Sequence, residues 1–544
     1  MTALALIGLC GTASARDAYV ANSGDGTVSV LDLATNASAG TVTVGAKPVD
    51  VAITPNGKFA YAANETDGTV SVISTASNSV VATITIGAGT APRGIAITPD
   101  GSEAWVADSG KDEVTVIDTA TNAVSGLPIP VGSQPEGVAI SPDGLRAFVA
   151  QKGGNVSLID TATRAPVADF VDDNRAPSRI AIGPRGGRAF VTDSSFNTVT
   201  AFNPDNGAAG TPIPVGSQPS AIAIGPSGAL AYAVAGDGTM TPITTSNNAP
   251  GTQVTGLSSP LGIAIAPSGS AGYVTNGVVT GFNTASNGFF GPLTAGATPS
   301  GIAIVPDQGP TAALFLAPAA PIVNRNVTFD AGASTDADGK IANYAFNFGD
   351  GRSVKGTKTK RWHAYKKPGT YVATLTVTDN EGCSDSFIFT GQTASCNGSA
   401  AATATRTVVV ADDKGPALSL AGGRRQRLGR RVSVYARCPR EACGVRAVGT
   451  VSLLTRRGRG HRRHVVRANR RLRPAGARLA AGVWGRFDLR VSPGLRRFIA
   501  RALRSGGRAT AKLTVTAVDS TGLKTVRHRN VKLFGPRPPR RPAR

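Results

Sequence analysis

Pro92-Arg93-Gly94-Ile95-Ala96-Ile97-Thr98-Pro99-Asp100-Gly101-Ser102-Glu103-Ala104-Trp105-Val106-Ala107-Asp108 recurs, in recognisable copies, through the first 310 residues of this 544-residue chain. The copies begin at Pro48, Pro92, Pro135, Pro177, Pro219, Pro260 and Pro299, with periods of 44, 43, 42, 42, 41 and 39 residues. A steady period near forty is the mark of one supersecondary unit repeated in an array. Gly-Ile-Ala-Ile is a short apolar run of the kind a fully buried strand shows, and it ends in Pro-Asp-Gly, Pro-Asn-Gly or Pro-Ser-Gly. In that triplet Pro presets φ and Gly accepts a positive one. An aromatic strand follows (Ala60-Tyr61, Ala104-Trp105, Ala147-Phe148, Ala189-Phe190), then an alternating strand such as Val114–Asp118, a Thr-Ala-Thr-Asn turn and a fourth strand. Four short strands in about forty residues, with no helical period, describe a β-propeller blade.

The aromatic second strand first occurs at Ala18-Tyr19, ahead of any first strand, whereas the last first strand is Gly301–Val305. Pairing those two ends completes a seventh blade and leaves no large unpaired edge. The expectation is an all-β chain: a seven-bladed propeller over residues 16–310, followed by two β-sandwiches.

Val114–Asn122, Tyr273-Val274-Thr275-Asn276 and the Pro-x-Gly-x-Ala-x-x-Pro-Asp-Gly runs resemble the YVTN family of propeller repeats. The resemblance implies a secreted or cell-surface protein, surface-layer proteins included, of a family sometimes confused with lactonase-like and quinoprotein-like propellers. Fold alone leaves the activity open, because one superfold hosts many.

Residues 1–15 form a short apolar run ending in Ala13-Ser14-Ala15, an A-x-A cleavage pattern, and read as a signal peptide with a truncated basic region. No other apolar run approaches the roughly 20 residues of a spanning helix, so no transmembrane span is expected.

Residues 16–310 contain neither His nor Cys; the four histidines, His363, His461, His464 and His528, lie downstream. Copper or haem propellers, His-based lactonases and Ser-His-Asp hydrolases would each need an imidazole there. No cofactor, no metal and no catalytic residue is assigned. Because adjacent strands run antiparallel, strand-one entries and strand-two exits share a rim. That rim gathers Asp50, Arg93, Glu136 and Arg179 with Asn22, Asn64, Asp108, Gln151, Asp193 and Asn276, a polar channel mouth that could grip a glycan or peptide. The competing account is that these Asn and Asp side chains cap tight turns through the backbone.

Val327–Gly339, Tyr344–Gly351 and Pro368–Asp379 carry alternating strands and a Gly-Asp-Gly turn, the pattern of a β-sandwich. Together they closely resemble a PKD domain, with Phe346-Asn347 where the family commonly has Trp-Asp, and the resemblance implies a spacer or binding module over residues 311–414. Asp336, Asp338 and Asp350 offer oxygen ligands to calcium, although loop capping is the preferred reading. Cys383 and Cys396 bracket an insertion, Ser384–Ser395, and Cys438 and Cys443 bracket four residues; two local disulfides are expected in an exported chain, in preference to zinc.

Charge is segregated. Lys+Arg against Asp+Glu is 12 to 22 for residues 16–310, 11 to 9 for 311–414 and 34 to 3 for 415–544. Arg431–Ala436 and Lys512–Asp519 alternate as strands, and Ser492-Pro493 opens a short helix to Arg504 with Leu495, Phe498, Ile499, Ala502 and Leu503 on one face. Residues 415–534 are read as a basic Ig-like sandwich and 535–544 as a disordered basic tail. A cationic module attracts anionic envelope polymers or glycans; the few aromatics suit a core better than a nucleic-acid surface. The reading is an exported surface protein for binding or adhesion, with no specific nucleic-acid partner; the alternative is a lactonase-like or polysaccharide-acting enzyme.

Overall fold

The computed structural model describes residues 17–170, 176–412, 414–457, 464–520 and 522–535. The expected signal peptide and nearly all of the basic tail lie outside them. The chain divides into two compact units. The first holds the residues to Phe315 with Asp330–Arg361 and Ala373–Arg406, and the second holds Leu316–Phe329, Trp362–Val372 and the residues from Thr407 onward.

Seven sheets of the first unit are propeller blades. In the closing blade Asp17–Asn22 pairs with Thr27–Asp32 on one side and with Pro299–Ile304 on the other, in the register Ala18↔Ile304, Tyr19↔Ala303 and Val20↔Ile302. The two ends of the repeat array therefore share one sheet. First strands such as Pro48–Ile53 and Pro92–Ile97 are buried along almost their whole length, which is why they read as unbroken apolar runs. In three blades the strand-two tyrosine fastens its blade to the next: the Tyr19 hydroxyl donates to Asn78 at 2.5 Å, Tyr61 to Asn122 at 2.7 Å and Tyr232 to the Thr284 carbonyl at 3.1 Å. Asn78 and Asn122 hold φ of 49° and 52°, a left-handed turn that Asn tolerates better than most residues, so one residue closes its hairpin and receives the neighbouring tyrosine.

Residues 311–414 contribute strands to both units. In the first, Ile341–Asn347 is flanked by Ser353–Gly356 and by the Thr374–Asp379 part of the strand Gly369–Asp379. The second unit contains a mixed sheet in which Cys443–Arg457 is paired with His464–Arg471, Ala475–Leu479 and Arg508–Val518, and Lys524–Phe534 follows Arg508–Val518. A second sheet is formed by Ser419–Ala421, Arg431–Arg437 and Gly485–Arg490. The helix runs Pro493–Arg504, and the Ser492 hydroxyl accepts from the Leu495 amide at 3.2 Å as its N-cap. Ile499 and Ala502 are buried; Phe498 departs from the expected apolar face, being 41% exposed, with Arg470 stacked over its ring. No helix of the described residues is long and apolar enough to cross a membrane.

Candidate functional site

The rim residues fall into two groups. The strand-two ends are buried and bonded within their own blades. Asn22 Nδ2 donates to Thr27 and Ser29 at 2.9 Å each, and Asn64 Nδ2 to Thr69 at 3.0 Å and Ser71 at 2.9 Å. Asp108 accepts from Thr115 at 2.5 Å, Gln151 donates to Ser157, and Asn276 accepts from Thr280 at 3.1 Å. Asp193 accepts backbone amides of Ala176 at 3.2 Å and Ser195 at 3.0 Å. Burial pushes the Asp108 carboxyl up to about 7. The residue before six of the seven first-strand prolines supports the same rim: Lys47, Ala91, Gln134, Gln218, Ser259 and Thr298 all hold φ between 48° and 56°. Carbonyls of this set accept the amide just beyond strand two, as from Glu65 to Lys47 at 2.9 Å and from Lys152 to Gln134 at 2.9 Å.

The strand-one entries form an ion-pair chain instead. Lys47 meets Glu65 at 2.8 Å, Glu65 meets Arg93 at 2.8 Å, and Arg93 meets Glu136 at 3.0 Å. Arg179 donates to the Glu136 carbonyl at 2.5 Å. Asp50 is buried, accepting the amides of Val51 at 3.0 Å and Ile95 at 3.4 Å; burial raises its carboxyl pKa and the Arg179 charge pulls it down.

The opposite end of the channel is stoppered by the chain itself. The insertion between Cys383 and Cys396 folds as a hairpin, Ile388–Phe389 against Ala394–Cys396, and its tip enters the propeller. Inner-strand amides of three blades donate to the tip carbonyls: Ile97 to Gln392 at 3.2 Å, Ile140 to Gly391 at 2.7 Å and Ile182 to Thr390 at 3.1 Å. The Ile53 amide of a fourth blade donates to the Thr393 hydroxyl at 3.3 Å. Phe389 and Ala394 are buried with Ala96, Trp105 and Val138. A cavity of about 70 Å³ remains beside the tip, lined by Ile180, Ile222, Ile263, Ile302 and Gln392 among others. At about 10–15 Å³ per water it holds a handful of waters, far short of the roughly 300 Å³ of a small-molecule pocket. Gly391 sits at φ 111° with space for a Cβ only 3.2 Å from Ala139 Cβ, so the tip needs glycine.

Beside the hairpin base lies a second, acidic site. Asp307, Asp336, Asp338, Asp379 and Glu381 face one another, and each of the last four raises the pKa of Asp307. Asp307 is 1% and Asp379 2% exposed. Both Asp307 carboxylate oxygens, Asp338 Oδ1 and Asp379 Oδ2 are buried without a hydrogen-bond partner. Their other oxygens shape the loops: Asp379 Oδ1 accepts the amides of Glu381, Gly382 and Cys383 at 3.1, 2.8 and 2.8 Å, and Asp338 Oδ2 that of Gln308 at 3.1 Å. Burial, then the neighbouring acids, push Asp307 up to about 9, and burial pushes Asp338 and Asp379 to about 6. Carboxylates so arranged take up either protons or a cation, and an all-oxygen set of this size suits a hard ion such as calcium. Asp307, Asp379 and Cys383 offer atoms within 4.8 Å of one another, but the Cys383 sulfur is spent in the disulfide to Cys396. Of the three residues the sequence offered to calcium, Asp336 and Asp338 join this cluster; Asp350 caps its own turn, accepting from the Arg352 amide at 3.2 Å.

Both cysteine pairs are disulfides, with Cα atoms 5.5 Å apart for Cys383–Cys396 and 6.4 Å for Cys438–Cys443.

Comparison with known proteins agrees with this architecture. Residues 307–393 match the PKD domain family, and residues 13–141 match the family described as lactonase, 7-bladed beta-propeller. Collagenase ColA of Clostridium perfringens is 46% identical over 61 residues, which is 11% of this chain and 5% of that protein. The microbial collagenase of Vibrio alginolyticus is 38% identical over 88 residues, 16% of this chain and 8% of that protein. The chain thus spans only a small fraction of these curated relatives. Among solved structures, Kuenenia stuttgartiensis hydrazine synthase aligns with 54% of this chain and 99% of its own at 21% identity and a TM-score of 0.44. A functionally unknown protein from Desulfotomaculum acetoxidans aligns with 53% and 98% at 17% identity and a TM-score of 0.47. The PKD match, the collagenase relatives and the disulfides fit an extracellular protein of binding or adhesion type.

Proposed function

We propose that this protein is an extracellular adhesion or binding protein of the YVTN and surface-layer type, retained on anionic envelope polymers by its basic C-terminal module. The carrying observation is the segregation of charge, 34 Lys+Arg against 3 Asp+Glu in residues 415–544 and 12 against 22 in residues 16–310. In this reading the module supplies retention and the propeller supplies recognition. The rim residues able to meet a glycan or peptide are Arg93, Glu136 and Arg179 with the partly exposed Lys47. A calcium ion among Asp307, Asp336, Asp338, Asp379 and Glu381 would hold the base of the channel stopper. Retention of the full chain on isolated bacterial envelopes tests the proposal: binding at low salt with release by roughly 0.5 M salt is expected, because the screening length shortens to about 4 Å there. Absence of binding at low salt overturns it.

The lactonase-type match over residues 13–141 favours a second reading, an enzyme with lactonase-like or polysaccharide-acting chemistry. The absence of His and Cys from residues 16–310 and the small cavity beside the stopper support binding over turnover. Hydrolysis of aliphatic lactones or envelope polysaccharide by the purified chain, supplied with divalent cations, would move the assignment to the enzyme.

A further inference from the structure

The outer face of the mixed sheet in the C-terminal module carries a groove whose chemistry is more specific than a diffuse positive charge. Antiparallel register aligns Asn530, Lys512, Thr450 and Arg471 in one row across four strands. The next row on the same face is His528, Thr514 and Val448, where the Thr514 hydroxyl and His528 Nδ1 lie 3.1 Å apart. Pro474 cannot continue the edge ladder, so the strand His464–Arg471 breaks and resumes at Ala475–Leu479. That break leaves a groove of about 700 Å³ lined by the two rows. Strands stand about 4.8 Å apart, so Lys512 and Arg471, two strands from each other, present their charges roughly 10 Å apart with a threonine between them.

Three features select the occupant. Cations, hydroxyls and a carboxamide line the groove beside Val448, Leu472, Pro474 and Leu513, and among the described residues no acid does. Of the module's three acids, Asp488 is taken by Arg431 and Arg486 on the other sheet, Glu441 sits in the Cys438–Cys443 loop, and Asp519 lies past the end of its strand. Among the described residues no Phe, Tyr or Trp lines the groove, its one imidazole, His528, is engaged by Thr514, and the exposed rings of Trp484, Phe498 and Phe534 are each covered by an arginine, from Arg437, Arg470 and Arg427. Nucleobases would find no stacking platform there, which single-stranded nucleic-acid sites rely on. Phosphates spaced along a hydroxylated chain would meet the two cations, while the threonines and Asn530 take the intervening hydroxyls.

We propose that this groove is a binding site for a linear sugar-phosphate or polyol-phosphate polymer. The inference rests on the reading that the basic module binds envelope polyanions, and names where and which.

The test uses the full chain and soluble poly(glycerol phosphate), with a polyuronate and an oligodeoxythymidine as comparison ligands. An Arg471→Glu, Lys512→Glu variant is set against an Arg497→Glu, Arg504→Glu variant of equal charge change on the helix, with Lys512→Gln as a milder probe. Arg471 and Lys512 lie in the groove and Arg497 and Arg504 on the helix, and all four side chains are exposed, so folding is expected to survive; circular dichroism and thermal unfolding verify it. The groove pair should weaken poly(glycerol phosphate) binding at least about tenfold, the loss of a charge-assisted contact, and the control pair less than threefold. Equal losses in both variants would overturn the groove while leaving the polyanion reading intact. Binding of the oligonucleotide or polyuronate as tight as that of the polyol phosphate would overturn the ligand class. No binding of any polyanion by the unsubstituted chain would remove both the groove and the reading beneath it.

Discussion

Replacing Gly391 by valine should withdraw the stopper from the propeller. At φ 111° a β-branched residue is strained by about 1–3 kcal/mol, and its Cβ would stand 3.2 Å from Ala139 Cβ and 3.4 Å from the Ile182 amide nitrogen. Unseating the tip gives up the acceptors of the Ile53, Ile97, Ile140 and Ile182 amides, four bonds worth about 1 kcal/mol each net. The opposing strain and clash are of the same size, so the seated state loses its advantage. Hydrogen exchange reads this directly: a change of about 3 kcal/mol is roughly a hundredfold in opening. The amides of Ile97, Ile140 and Ile182 should lose about that much protection, whereas Val106, paired with Ile95 inside its blade, keeps its own. Unchanged protection at the three isoleucines in Gly391→Val would refute the stopper.

Further outcomes follow from the acidic cluster and the staple. Folded pKa values of about 9 for Asp307 and about 6 for Asp338 and Asp379 lie above the ordinary 3.8, so the folded chain binds the extra protons. Without divalent ions stability is therefore greatest below about pH 4 as far as this cluster is concerned, and declines as pH rises through 6 and 9; calcium should flatten that decline in melting curves taken with and without chelator. Asp379→Asn keeps an oxygen for the three loop amides yet removes a charge, so it should fold and lose most of the calcium-dependent rise in melting temperature. Cys383→Ser with Cys396→Ser opens a loop of 13-residue separation and should cost about 3 kcal/mol in denaturant unfolding. Asn64→Ala strands the half-buried hydroxyl of Thr69 and the buried one of Ser71 and should cost about 1–3 kcal/mol, with no effect on ligand binding.

The propeller was legible because its repeat states the same local physics over and over: a buried apolar strand seven times, a Pro-x-Gly turn six times and a strand-two aromatic that in three blades bonds to the next. The shared closing blade followed from the odd strand at Ala18-Tyr19 and its partner at Gly301–Val305. The helix was legible from Ser492-Pro493, because a cap and a first-turn proline act within a few residues. The fate of the rim was half visible: a Thr or Ser five and seven residues after Asn22 and Asn64 is a partner for a buried amide, and that spacing was in the chain. The stopper was not legible, and of the acidic cluster only Asp336 and Asp338 were. Ser384–Ser395 has no period, and its tip finds its acceptor role only against strands some 200 to 340 residues earlier. Asp307, Asp336, Asp338 and Asp379 look like separate turn caps until chain closure places their oxygens together. In the basic module, alternation showed the strands, but only the register aligns Asn530, Lys512, Thr450 and Arg471.

Affinity of the full chain for poly(glycerol phosphate), measured from about 50 mM to 500 mM salt, decides whether charge contact with phosphate retains the protein. Binding at the low end is expected, with a linear fall of log affinity with log salt whose slope reports several phosphates neutralised. A chain that binds no polyanion at 50 mM, or binds with no dependence on salt, would contradict it.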